Sequence, residues 1–509
     1  MNQLHDTTTL LNRADSGTLI AQATSGDRWQ LLPYTCPILP VHAALLNTGK
    51  VFFFCGSSNN PTVFPYNSYV WDVSSGIFSS QDAPVDGSGN PIDLFCAGQS
   101  FLPNGNLMIA GGTLQYDPFY GLPAAFIFAP NTEQLTQVAS MNSGRWYPTL
   151  LTLGSGAIFA LSGIDVQGNL NNNPEIYSSS FATGWKIFSQ PTSYFPQYAH
   201  LFLLSSGQIF YSGAYMAGNN SVAPTILTLP STFTQAITET PLAGLEAADS
   251  GNQAASVLLP PAQDQKVMIC GGGNDDTGQA TDRVNIIDLK ASNPTYTAAA
   301  SLNYGRMHLS AVLLPDRTVF VCNGSQANED ITQGNLPAEI YNPATDTWTV
   351  VATPNVSDRV YHSIALLLPD GRVVTGGGNP QRLNLCLVND EPPENCQEMR
   401  LEIYSPAYMT QIKPVIQKAP PKIKYAQTIT LQTPQARTIK WVHLLKPMAT
   451  THSCETEQRL VDLPITSRTQ NALTVAVTNN PNLAPPGSYM LFIVDNDGVP
   501  SVASWTRLS

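Results

Sequence analysis

The chain has 509 residues, a net charge of −12, and 12% charged against 43% hydrophobic residues. The longest apolar runs, Val51–Cys55 and Ile364–Leu368, are strand-length and fall far short of the ~18 apolar residues of a spanning helix. Aromatic residues spread along the whole chain exclude disorder, and the acidity excludes nucleic acid, whose phosphates need a basic face.

Met1–Leu11 has neither the basic n-region nor the apolar h-region of a secretory signal, and residues 1–24 read as a mobile tail. The low charge and the abundance of Asn, Thr, Ser, Pro and Gly suit an exported protein. From about residue 25 one pattern recurs seven times: an apolar run, a polar turn, a second apolar run, then glycine. The copies end at Gly56, Gly111, Gly163, Gly213, Gly271, Gly324 and Gly376, spaced 55, 52, 50, 58, 53 and 52 residues apart. Each copy reads as a β-hairpin. Third strands follow as YVWDV, AFIFAP, PEIYSS, TILTLP, NIIDL, AEIYNP and LEIYSP, and several copies show a fourth, such as Thr347–Val351. Seven repeats near 50 residues, with four strands each, predict an all-β, seven-bladed kelch-type β-propeller over 25–409. Asp27–Pro33 resembles Asp346–Val351 and stands before the first repeat. It is expected to complete the last blade and close the ring. Beyond Met409 short strands at Thr428–Gln432, Thr438–Leu445, Leu473–Val477 and Tyr489–Val494 predict a β-sandwich over 410–509.

Of the eight cysteines, Cys55, Cys270 and Cys322 end apolar strands and read as small buried hydrophobes. Cys386 and Cys396 flank a polar loop and are either a disulfide or two free thiols.

In a propeller, residues just before the innermost strands converge near the axis. Read against each repeat's glycine, Cys96, Tyr147, Tyr198, His308 and Tyr361 all fall 15 or 16 residues before it. His42, Gln99, His200 and His362 stand beside this position. A cysteine, several tyrosines and several histidines at one structural position suggest a metal and redox site. The bland alternative for each is a hydrogen-bonded lining residue.

Four dispersed motifs give these residues a context: DLFCAG at 93–98, RWYPT at 145–149, RVYHS at 359–363, and TTHS at 450–453 followed by Gln458-Arg459. With the C-terminal runs PGSYMLF and GVPSVA, they resemble the copper-radical oxidases of the galactose oxidase and glyoxal oxidase family over residues 25–509. RWYPT is similar to the glyoxal oxidase form. The resemblance implies an immunoglobulin-like early-set sandwich donating His452. It implies one copper ion held by Tyr147, Tyr361, His362 and His452, and a Cys96–Tyr147 thioether as a built-in radical cofactor. Tyr361 would take the substrate's proton. The implied activity is oxidation of small aldehydes or primary alcohols by dioxygen, yielding acids or aldehydes and hydrogen peroxide. Two imidazoles and phenolate oxygens with one open position suit tetragonal Cu(II). Phe95, Gln99, Trp146, Tyr198 and His308 are expected around the ligands.

Galactose oxidase stacks a tryptophan, in a WSGG context, on its crosslinked tyrosine. Residues 161–165 here are LSGID, with no aromatic, leaving Trp146 or Tyr215 to shield Tyr147. The resemblance further implies a monomer that is secreted or at the cell surface, with no membrane span. The rival reading is a kelch-type binding module that keeps the fold without the activity.

Overall fold

The computed structural model describes residues 26–57, 66–116, 118–218, 222–245, 251–274, 277–334, 336–356, 359–380 and 397–509. The expected tail over 1–24 and the pair Cys386 and Cys396 lie outside the described residues.

Each of the seven repeats folds into its own antiparallel sheet. The third repeat shows the plan: Thr149–Thr152, Ile158–Leu161, Glu175–Tyr177 and Trp185–Ile187 pair in chain order. Its first two strands are buried at every position, whereas the outer strand Gln134–Val138 of the second repeat alternates exposed and half-buried residues. The hairpin turns need a residue at positive φ. Glycine supplies it at Gly105 (φ +90°), and Arg317 takes the place in the sixth repeat (φ +70°). The sheets pack through shared apolar clusters. One joins Ala43, Phe53, Met268, Val312, Phe320, Leu366 and Val373, which come from four repeats. This plan leaves charge to loops and outer strands apart from a few buried ion pairs such as Arg145–Glu175 and Lys446–Glu457, which accounts for the low charge. Among the described residues no helix is long and apolar enough to cross one.

Arg28–Thr35 pairs antiparallel with Arg400–Ser405, joining the sheet of the seventh repeat. The closed seven-bladed kelch-type propeller is nevertheless corrected. The hydrogen-bond ladders stop within each group of strands, and no sheet closes on itself into a barrel or propeller. Sequence period specifies a repeated unit; a closed ladder additionally needs pairing between units, which the exposed outer strands do not make.

After Ser405 a short turn over Ala407–Thr410 leads to two further sheets. One has five strands in the order Lys422–Ile423, Ser504–Leu508, Gly487–Asp495, Ile439–Leu445 and Leu460–Asp462. The other has three: Thr428–Gln432, Ala472–Ala476 and Ile465–Arg468. They share a core of Leu431, Val475, Val442, Leu444, Leu491 and Ile493, as expected of an immunoglobulin-like sandwich.

Candidate metal centre

Six residues in successive repeats share one backbone feature. Cys96, Tyr147, Tyr198, Gln253, His308 and His362 have φ of 63°, 63°, 47°, 54°, 60° and 63°. This left-handed conformation costs a non-glycine residue on the order of 1–3 kcal/mol and persists only where the surroundings enforce it. The turns are strung together: Tyr147 N donates to Cys96 O and Tyr198 N to Tyr147 O, both at 2.9 Å. The shared position in the seventh repeat therefore belongs to His362, not Tyr361. Arg359 is followed by one more residue than Arg145 or Arg306 before the left-handed position, so this repeat offers Tyr361 and His362 side by side.

Buried ion pairs hold three of these turns. Arg145 meets Glu175 at 3.1 Å, Arg306 meets Glu339 at 3.0 Å and Arg359 meets Glu402 at 3.3 Å, all in the interior. Each glutamate also accepts from an asparagine backbone N–H, at Asn142 (2.7 Å), Asn303 (2.7 Å) and Asn355 (2.8 Å). Each arginine spans to the carbonyl of a second left-handed residue: Ser162 (2.8 Å), Asn323 (3.2 Å) or Gly377 (3.2 Å). Burial lowers the three guanidinium pKa values, and the paired glutamates oppose that shift. The glutamates were missed at the sequence level, although each is the Glu of an EIY third strand. The signal was there in NSGR at 142–145, NYGR at 303–306 and NVSDR at 355–359, each followed by EIY.

His452 arrives from the C-terminal sheets on a hairpin, Ala449–Thr451 and Cys454–Glu455, that extends the first repeat's sheet through Thr451 opposite His42. The flanking segment is pinned to many repeats. Gln99 Nε2 donates to Thr450 O (2.8 Å) and Thr456 Oγ1 to Leu150 O (2.8 Å). Thr152 Oγ1 donates to Glu457 (3.0 Å), and Gln458 Nε2 donates to Ala311 O (2.8 Å). Arg459 reaches Leu203 O at 3.3 Å. Lys446 Nζ lies 2.5 Å from Glu457, a buried pair that stiffens the base of the hairpin.

At the tip the tautomer of His452 is set. Thr451 Oγ1 gives its proton to Val41 O (2.9 Å), so at 2.5 Å it accepts from His452 Nδ1. Nε2 is left with its lone pair, 3.6 Å from Cys96 Sγ. The ligand atoms of Cys96, His362 and His452 lie within 4.8 Å of one another, all buried. The hydroxyls of Tyr147 and Tyr361 touch. Tyr361 stacks on His362 (3.7 Å, 26°), and Tyr147 meets His452 edge-on at 4.8 Å. Burial, reinforced by neighbouring imidazoles, holds His362 and His452 well below the usual histidine range, so both are neutral. Burial also raises the Cys96 and Tyr147 pKa values far above their ordinary values; Cys96 adds to the rise at Tyr147, whereas the Tyr147 hydrogen bond opposes the rise at Cys96. Both ring nitrogens of His362 lack a hydrogen-bond partner in this interior. A buried polar group without a partner calls for one. Two neutral imidazoles and two touching phenols fit a copper ion, whose charge would draw phenolate even from Tyr147, whose pKa burial raises.

The remaining expected residues divide. Trp146 stacks on Tyr147 at 3.9 Å and 12°, and Phe119 in turn stacks on Trp146 at 4.2 Å. Trp146, half-buried, is thus the aromatic cover, and it lies beside Tyr147 in sequence. Tyr215 instead bridges to Asn252 through its backbone. Tyr198 donates to Ala97 O (2.8 Å) with its ring 4.6 Å from Tyr147. Phe95 stands edge-on to His362 at 5.4 Å. His308 pairs with Asn328 Oδ1 (2.8 Å) and its ring lies 5.6 Å from Tyr361. His42 stacks on Phe54 at 4.2 Å, and His200 bonds Ser256 (2.9 Å). Gln99 serves the hairpin, as described. Asp93, the first residue of the DLFCAG motif, was given no role of its own in sequence. It accepts from Ser57 N (2.9 Å) and Phe95 N (3.0 Å), and so caps the turn that carries Cys96.

The family model "Glyoxal oxidase N-terminus" matches residues 89–408, and "Galactose oxidase-like, Early set domain" matches 413–508. The chain is 27% identical to a "Galactose oxidase" of Gibberella zeae, covering 93% of this chain and 69% of that one. It is 26% identical to "Aldehyde oxidase GLOX" of Vitis pseudoreticulata, covering 96% and 98%. A solved structure described as a novel fungal alcohol oxidase of the AA5 family, in complex with copper, shares the fold. Its TM-score is 0.78 at 23% identity, covering 94% of this chain and 99% of that one.

Proposed function

The chain belongs to the galactose oxidase and glyoxal oxidase family of copper-radical oxidoreductases, and we propose that it oxidises small aldehydes or primary alcohols with dioxygen, releasing hydrogen peroxide. One observation carries this reading: Tyr147, Tyr361, His362 and His452, from three distant stretches of chain, meet in one buried place with Cys96. These four would hold the metal, and Cys96 would be joined to the Tyr147 ring through a thioether. Copper, when bound, supplies the positive charge that ionises the phenols and a one-electron redox couple.

The chain's own residues do the rest. Tyr361, half-buried where the other ligands are enclosed, meets the incoming alcohol or hydrated aldehyde and takes the hydroxyl proton on its phenolate oxygen. Tyr147, oxidised by one electron and touching Tyr361, takes the hydrogen atom from the substrate carbon. The Trp146 ring covers the face of Tyr147 and burial keeps water from it. Overall, an alcohol and dioxygen give an aldehyde and hydrogen peroxide, or a hydrated aldehyde and dioxygen give an acid and hydrogen peroxide. Copper-loaded protein exposed to oxygen should become two hydrogen atoms lighter and release peroxide with at least one of methylglyoxal, glyoxal, glycolaldehyde, glycerol or galactose. Unchanged intact mass together with no peroxide on any of them would overturn the reading in favour of a binding module on the same fold.

A further inference from the structure

The arginine anchors mark one residue that has no role so far. The complete device, an asparagine and an arginine closing on a buried glutamate, occurs among the described residues in the third, sixth and seventh repeats. In each it enforces a left-handed residue 16 positions before a glycine: Tyr147 before Gly163, His308 before Gly324, and His362 before Gly378. A buried ion pair is weak evidence for stability, because desolvation offsets its attraction; its use is to fix geometry. Two of the three residues so fixed are proposed metal ligands. The third, His308, is not in the cluster formed by the ligand atoms of Cys96, His362 and His452.

The surroundings of His308 say what it is fixed against. It is 2% exposed, and its Nε2 lies 2.8 Å from Asn328 Oδ1. Asn328 is itself held, with its N–H on Gly278 O at 2.8 Å. The His308 ring lies 5.6 Å from the Tyr361 ring at 59°, while His362 stacks on Tyr361 at 3.7 Å. Tyr361 thus meets an imidazole from each of two anchored repeats, with His452 edge-on to it at 5.4 Å. It is also the residue that the extra position of the seventh repeat leaves outside the left-handed turn. Its carbonyl accepts from Asn379 N at 2.8 Å, but the enforced left-handed backbone belongs to its neighbour His362.

We propose that His308, oriented by Asn328, is a positioning residue that fixes the ring of Tyr361 so that its hydroxyl faces Tyr147 and the incoming substrate. This rests on the reading of Tyr361 as proton acceptor. Three proteins test it: wild type, H308F, which keeps ring volume without the Asn328 bond, and H308Q, whose amide can still pair with Asn328. The copper-free crystal structure of H308F should show the Tyr361 ring turned away from Tyr147, with H308Q restoring it; an unmoved Tyr361 overturns the inference, whatever the activity. In the copper-loaded proteins kcat should fall about tenfold or more in H308F, as misplacement of a reacting group does. KM, copper content and intact-mass loss should match wild type, and H308Q should recover kcat to within about threefold. An H308F kcat within twofold of wild type overturns the inference, and so does loss of copper, which would make His308 a ligand. A wild type that loads copper but releases no peroxide would overturn the oxidase reading alone, and the orientation of Tyr361 would still decide the role of His308.

Discussion

At the scale of single residues, the site is a set of strained turns bearing aromatic and imidazole rings. Trp146 on Tyr147 is the most direct contact outside the ligands. Such a stack contributes about 0.5–1.5 kcal/mol beyond area burial. Trp146→Leu should therefore cost roughly 1 kcal/mol of stability by urea unfolding. It should also shorten the life of the oxidised Tyr147, read as faster decay of its radical absorbance, while copper binding persists. Tyr361→Phe removes the oxygen proposed to take the proton. Its kcat should fall by about 10²–10⁴, with the Cys96–Tyr147 mass loss unchanged; full peroxide production would point to another base. Cys96, Tyr147, Tyr361, His362 and His452, the candidate crosslink and ligands that the structure brings together, could be singled out in sequence because each sits in a short motif. The role of Trp146 was left open there, because stacking depends on ring orientation, which neighbouring residue numbers do not give.

At the scale of elements, two devices position those residues. Removing one partner of a buried ion pair leaves the other charge unpaired at a cost of about 3–5 kcal/mol. Arg145→Met, which strands the Glu175 carboxylate, and Glu175→Gln, which leaves the buried Arg145 charge facing only the carbonyls of Ser162 and Asn173, should each lose stability on that order; a loss below about 1 kcal/mol for either in denaturant titrations would contradict this. The hairpin bearing His452 depends on Glu457, which takes hydrogen bonds from two repeats and the Lys446 charge. Glu457→Ala should weaken copper binding roughly 10–100-fold, as loss of a supporting shell does, measured by competition with a chelator. The hairpin strands of every repeat were visible as apolar runs around a turn. The Asn–Glu–Arg closures were not, because their members lie some 30 to 47 residues apart and meet only once the third strand is in place.

At the scale of the whole molecule, several histidines are locked in as neutral groups. Burial lowers the His42, His200 and His443 pKa values to about 3. The unfolded chain takes up a proton at each near pH 6.5, so between pH 6.5 and 3 it binds more protons than the native state. Stability should therefore be lost as pH falls through that window. His443→Leu, at a site where neither ring nitrogen has a partner, should make that loss shallower by up to about 1.4 kcal/mol per pH unit, read from denaturation curves. The sequence by itself determined the repeat unit, the strand content, the sandwich at the C-terminus and the motifs that carry the candidate metal-binding side chains, since strand alternation, turn residues and short motifs are local properties. It also implied a closed propeller, which the strand ladders do not form, because pairing between units is not a local property. Tertiary structure alone decided the register that makes His362, not Tyr361, the counterpart of Tyr147. It likewise decided the tautomer of His452 and the burial that keeps its phenol and imidazole neighbours neutral. These follow from contacts between distant segments, and only the packed interior, where unpaired charge and unpaired polar atoms are costly, selects among them.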